Sequence, residues 1–198
     1  MACEADGELE ALVREVRACR HCASQLPLGP RPILHVSPTA RLLIASQAPG
    51  TKVHEKGLSF WDASGARLRD WLGLDRAQFY DTSLVAILPM GLCYPGRLPK
   101  GGDAPPRLEC NQLWRPRLLE LMPSIELTLL VGSYAQADAL GKGVMTERVR
   151  AWRDHLPRYF PLPHPSWRTG VWETRNPWFV TEVLPALRAE VRRVLGSG

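Results

Sequence analysis

Four short apolar runs, each separated from the next by a helical pattern, constrain this chain more than any other feature. They are Leu42–Ala45, Leu84–Leu88, Ile125–Val131 and Tyr159–Leu162. Runs that are apolar at successive positions, rather than alternate ones, suit strands buried on both faces. Between and around them the period changes. Glu8–Cys19 carries Leu9, Leu12, Val13 and Val16 on one face, and Gly65–Gly73 is a short helix stopped by its last glycine. Leu108–Met122 is helical, and Tyr134–Leu140 begins another helix. Asn176–Leu195 predicts one long amphipathic helix with Phe179, Val183, Leu187, Val191 and Val194 facing inward and Pro185 placed to kink it. Strands alternating with helices predict a three-layer α/β/α sandwich around a mainly parallel, four-stranded central sheet. With 198 residues, no internal repeat and no dividing linker, residues 1–198 read as a single domain with a partly loose stretch at 1–15, which includes Cys3.

A parallel sheet carries its ligands beyond the carboxyl ends of the strands. The first strand ends there in Ser46-Gln47-Ala48-Pro49-Gly50, where Gln47 offers amide donors and a carbonyl acceptor. Pro49 stiffens the turn, and Gly50 lets the backbone approach a ligand. The loops after Ala45, after Leu88 (beginning at Pro89) and before His164 are expected at the same sheet edge. His164 lies in Pro163-His164-Pro165-Ser166, so flanking prolines restrict where its imidazole points. A neutral imidazole aimed in this way donates a hydrogen bond to a developing oxyanion; the alternative is a histidine that only caps a loop. Phe60 is placed to stack on a planar base beside Gln47, or else to pack in the core, and Trp61 reads as a core aromatic.

The formal net charge is +5 and the pI about 9.2, compatible with a polyanionic partner. No apolar run approaches the roughly 20 residues that span a bilayer, so no membrane partner is expected. The acidic start, without an apolar h-region, predicts a cytoplasmic protein. Structural disulfides are rare in that compartment. Cys19-x2-Cys22 and Cys93-x16-Cys110 therefore suggest a four-thiolate site for an iron–sulfur cluster or zinc.

These motifs together resemble the uracil-DNA glycosylase superfamily, and within it the iron–sulfur-containing, family 4-like group. That group's Gly-Glu-Ala-Pro-Gly is similar to Ser46-Gln47-Ala48-Pro49-Gly50, and its Gly-x-Pro-Phe to Gly57-Leu58-Ser59-Phe60. Its Gly-x-Leu-Leu helix is similar to Gly65-Ala66-Arg67-Leu68, and its His-Pro-Ser-Pro to His164-Pro165-Ser166-Trp167. The order and spacing of the four cysteines also match. The resemblance implies a DNA-repair glycosylase, a monomer that hydrolyses the N-glycosidic bond of a base flipped out of DNA. It implies that Gln47–Gly50 lies along the base and positions water, that Phe60 stacks on the base, and that His164 steadies charge on the leaving base. It further implies that Pro165, Ser166, Trp167 and Arg168 enter the minor groove, with Trp167 or Val171 as the wedge, and that the four cysteines hold a [4Fe–4S] cluster.

Departures from the group's pattern leave the target base open. Gln47 stands where the group has glutamate, and Ala48 where other members have an aspartate. The asparagine that reads uracil is replaced by Ala86 or Pro89. Glu55 and Asp62 are candidate replacement carboxylates and His54 is also available, although each reads first as a solvated loop charge. The alternative function is a catalytically weakened DNA- or nucleotide-binding member of the same fold with a structural metal site.

Overall fold

The computed structural model describes residues 2–196, with side chains from residue 6 onward. Strands β1 (Leu42–Ala45), β2 (Val85–Ile87), β3 (Leu127–Val131) and β4 (Tyr159–Leu162) form one sheet in the order β2-β1-β3-β4, and every pairing is parallel. Leu42 lies opposite Val85 on one side and Leu127 on the other, so the two neighbours of β1 are in matching register. All but Tyr159 of the strand residues are buried, as the unbroken apolar runs require.

Alternate residues feed two separate cores. Leu42, Ile44, Val85, Ile87, Leu127 and Leu129 point to one face. There they meet helices α3 (Ala63–Leu72), α4 (Arg76–Tyr80), α7 (Met145–Arg150) and α9 (Leu184–Leu195) through Leu68, Phe79, Val149 and Leu187. Leu43, Ala86 and Leu88 point the other way, onto α1 (Ala2–Arg17) and α5 (Leu108–Glu120) through Leu12, Val16, Trp114 and Leu118. Ala45 and Leu130 meet Ala135 of α6 (Ser133–Leu140) on that same side. Each fully buried Leu or Phe contributes about 1.5–3 kcal/mol, so the sandwich rests mainly on these two layers of contact.

Several boundaries differ from the sequence expectation, each for a local reason. Helix α1 begins at Ala2 rather than Glu8, and its buried Leu9 and Leu12 pack the stretch expected to be loose. The side chain of Cys3 lies outside the described residues. Helix α3 starts at Ala63 because the carboxylate of Asp62 accepts from the Gly65 amide as an N-cap. Helix α4 was hidden by its shortness, although Asp75 and Gln78 form a reciprocal capping box. Helices α2 (Thr51–Lys56) and α8 (Thr169–Arg175) also lie in stretches that carry no clear period. The C-terminal helix is not continuous. A wide π-helical turn, Phe179–Val183, precedes α9, and Pro185 sits in the first turn of α9. Proline cannot donate to the carbonyl four residues back and its ring crowds it, so the chain widens there instead of kinking. Among the described residues, no helix is long and apolar enough to cross a membrane.

Candidate active site

Because all four strands run the same way, their carboxyl ends share one edge, and a cavity of about 560 Å³ opens there. Its wall includes Gln47, Ala48, Pro49 and Gly50 after β1, Pro89 after β2, and His164, Ser166, Trp167 and Arg168 after β4. Phe60 comes from the loop before α3. A volume of this order holds a drug-sized ligand. Of the residues singled out for the base pocket and DNA contact, Pro165 and Val171 are off the cavity wall, and Pro165 is buried.

The turn after β1 is tied to its neighbour by backbone hydrogen bonds. Met90 and Gly91 amides donate to the carbonyls of Ser46 and Gln47 at 2.7 and 2.9 Å. The Gln47 amide Nε2 donates to the Ala104 carbonyl at 3.1 Å, crossing to the long loop between β2 and α5. His164 is half-buried, and the Thr169 hydroxyl and the Ser166 amide both donate to its carbonyl, which fixes the loop. Gly132, at φ +87°, brings its backbone close beneath the His164 side chain, where an added Cβ would stand 3.4 Å from His164 Cβ. Burial lowers the His164 pKa below the ordinary imidazole value, with Asp62 and Asp103 opposing the shift. The ring is therefore held neutral at neutral pH.

Phe60 occupies the left-handed region at φ +56°, the one described non-glycine residue with positive φ. Such a conformation costs about 1–3 kcal/mol and persists only when the surroundings impose it. Here they do. The Tyr80 hydroxyl donates to the carbonyls of Ser59 and Phe60 at 2.9 and 3.1 Å, and Arg69 donates to Phe60 at 3.4 Å. The Phe60 ring sits edge-on to Phe79, so it is at once part of the core and part of the cavity wall. Trp61 is not a core aromatic. It is 38% exposed, with the Arg76 guanidinium 3.7 Å from its ring centre.

A model of the uracil DNA glycosylase superfamily matches residues 34–188. The chain belongs to the uracil-DNA glycosylase superfamily. The match runs from before β1 into the first turn of α9 and so contains the whole cavity wall. A solution structure of a candidate uracil DNA glycosylase from Methanosarcina acetivorans is similar at 16% identity, covering 81% of this chain and 97% of that one, with a TM-score of 0.47.

In this superfamily member the rim of the cavity is basic and apolar together. Trp167 is 78% exposed with the Arg168 guanidinium 5.2 Å from its ring centre, and Arg97 and Leu98 on the same wall are exposed. Val171 is exposed but off the cavity wall. Glu55 is exposed, and the buried His54 points its Nδ1 at no partner; neither reaches the cavity. Asp62 does reach it, although its carboxylate already caps α3. Asp103 is the residue that sequence reasoning missed: it sits in the Gly/Pro-rich loop, and only the fold carries that loop to the cavity.

Cys19, Cys22, Cys93 and Cys110 line one smaller cavity on the α1–α5 side. Burial pushes the Cys93 thiol up to about 11 and the Cys110 thiol up to about 12, and the neighbouring thiols add to both shifts. The Leu92 amide donates to Cys110 Sγ at 3.4 Å. Among the described residues, no three thiol, imidazole or carboxylate groups are clustered as ligands of a single metal ion would be.

Proposed function

We propose that this protein is a DNA-repair glycosylase that flips uracil or another deaminated or damaged base out of DNA and hydrolyses its N-glycosidic bond. One observation carries the reading: a neutral, half-buried His164 shares a cavity roomy enough for a flipped nucleotide with the Gln47–Gly50 turn and Phe60. Bond cleavage leaves negative charge on the base, and an N–H donor fixed beside that charge is the strongest aid a protein can supply. A neutral imidazole supplies it without a second proton transfer. Phe60 gives the flipped base a stacking face, worth about 1–3 kcal/mol. Trp167, exposed on the rim, suits the role of the wedge that fills the vacated stack. Ala86 or Pro89 stands where the resemblance places the asparagine that reads uracil, so the test below includes other deaminated bases.

In the same reading Cys19, Cys22, Cys93 and Cys110, which line one cavity, would hold a [4Fe–4S] cluster that joins the segment after α1 to the loop after β2 and to α5. Four thiolates are the donor set that such clusters take.

The test is incubation with duplex and single-stranded oligonucleotides carrying uracil, hypoxanthine or xanthine. Wild type should form abasic sites on at least one. His164→Ala should slow cleavage by about 10²- to 10³-fold, the effect of losing one oxyanion donor, while DNA affinity holds. Intact DNA binding with no base released from any substrate would instead mark a binding module.

A further inference from the structure

The turn after β1 lacks an acid, yet hydrolysis needs a group to take the proton of the attacking water. Gln47 does not meet that need. A carboxamide accepts no proton at neutral pH, and the Gln47 amide is already donating to the Ala104 carbonyl at 3.1 Å. The segment it holds is a tight hairpin. The Leu98 amide donates to Gly102 at 2.9 Å and the Ala104 amide to Gly96 at 2.8 Å, with Arg97 opposite Asp103 in an antiparallel bridge. Gly101 and Gly102, both near φ +88°, make the tip.

This hairpin folds back over the strand-end turn. Asp103 Oδ2 stands 3.4 Å from the point a Cβ on Gly50 would occupy, so its carboxylate rests against the backbone of that turn. Asp103 lines the same cavity wall as His164 and Phe60. One other carboxylate reaches that wall, Asp62, but its Oδ1 accepts from the Gly65 amide at 3.1 Å as the cap of α3. Asp103 has no such duty among the described side-chain contacts, and it is open to water.

We propose that Asp103, delivered by the 96–104 hairpin, is the carboxylate that orients the attacking water and takes its proton, and that Gln47 is the clamp holding the hairpin over the cavity. This rests on the glycosylase reading above. The C1′–N bond breaks with its electron pair leaving on the base, beside the His164 N–H. Water oxygen bonds to C1′, and the water proton passes to the Asp103 carboxylate and from there to the departing base anion or solvent. The products are the free base and an abasic deoxyribose. The proximity of Asp103 to His164 also accounts for part of the opposition to the burial-driven fall in the imidazole pKa. The acid has thus moved from the strand-end turn to a neighbouring loop, while the turn keeps a residue that pins the loop.

The experiment is single-turnover cleavage of whichever base wild type releases, alongside DNA affinity and melting temperature. Asp103→Asn should lose about 10²- to 10⁴-fold in rate, the usual worth of a positioned base, with affinity and melting temperature unchanged. Asp103→Ala should regain part of its rate in added formate, which Asp62→Asn should not need. Gln47→Ala should also slow cleavage, with the hairpin more open to proteolysis. An Asp103→Asn protein within threefold of wild type would overturn the assignment. So would an Asp103→Ala protein that formate fails to rescue, or a rate loss confined to Asp62→Asn. A wild type that releases no base would sink the glycosylase reading itself, and this inference with it.

Discussion

Replacing Gly65 with alanine tests whether the shape of the pocket depends on one close approach between α3 and the loop before it. A Cβ built on Gly65 falls 1.7 Å from the Phe60 carbonyl oxygen and 2.5 Å from its carbon. Real Cβ atoms essentially never come within 3.0 Å of a neighbour, so the carbonyl must retreat by at least 1.3 Å. That movement breaks the hydrogen bonds from Tyr80 and Arg69 to Phe60, each worth about 0.5–1.5 kcal/mol. It also disturbs the Asp62 cap, worth about 1 kcal/mol, and drags the Phe60 ring from its contact with Phe79 at a cost of up to about 2 kcal/mol. Two gains oppose this. Alanine is better in a helix than glycine by about 1 kcal/mol, and relaxing Phe60 returns about 1–3 kcal/mol of backbone strain. The losses exceed the gains by about 2 kcal/mol, which lowers the melting temperature by about 4–8 °C for a domain of this size. Cleavage should fall by about tenfold to a hundredfold as the stacking face is lost. Thermal unfolding followed by circular dichroism, with single-turnover cleavage on the same preparations, measures both. A melting temperature equal to or above wild type, with full activity, would refute the argument, since helix propensity would then have outweighed the clash.

Two further outcomes are expected. Burial lowers the pKa of His35, His54 and His164 in the folded protein, while the unfolded chain takes up protons near the ordinary value of about 6.5. The stability they confer is therefore complete above that pH and is lost as pH falls below it. Urea midpoints should drop between pH 7.5 and 5.5, with a smaller drop in His164→Asn; parallel curves for the two proteins would contradict the assignment for His164. Cys110→Ser, purified without oxygen, should lose the visible charge-transfer absorbance and iron content expected of wild type and should melt lower. Unchanged colour and iron would remove Cys110 from the ligand set.

The layers of this fold were legible because their cause is local. An unbroken apolar run such as Leu127–Val131 has one economical home, a strand covered on both faces, and four such runs with helices between them leave little choice of architecture. The strand-end turn and His164 were legible for the same reason: each follows directly on a strand whose direction was already implied. Asp103 was not legible. Its loop is Gly- and Pro-rich and has no period, and its place beside the cavity comes from a hairpin that α5, β3, α6 and α7 separate from β4 in the sequence. Trp61 was misread because an aromatic next to a buried one looks like core, whereas the chain turns at the left-handed Phe60 and leaves Trp61 exposed. The continuity of the C-terminal helix was overestimated because inward-facing spacing survives a π-helical turn almost unchanged.

The three residues after Pro89 have a wider bearing. Met90 and Gly91 donate their amides to the turn that floors the cavity, and the next amide, that of Leu92, donates to Cys110 Sγ, one residue before Cys93. Pocket and cysteine-lined cavity are thus successive rungs on a single stretch of backbone. A shift of the sulfurs has a path of two peptide units to the floor of the pocket, and any effect of one site on the other's affinity is matched in reverse. Oxidation of these thiols would then register as a change in how tightly the pocket holds its ligand.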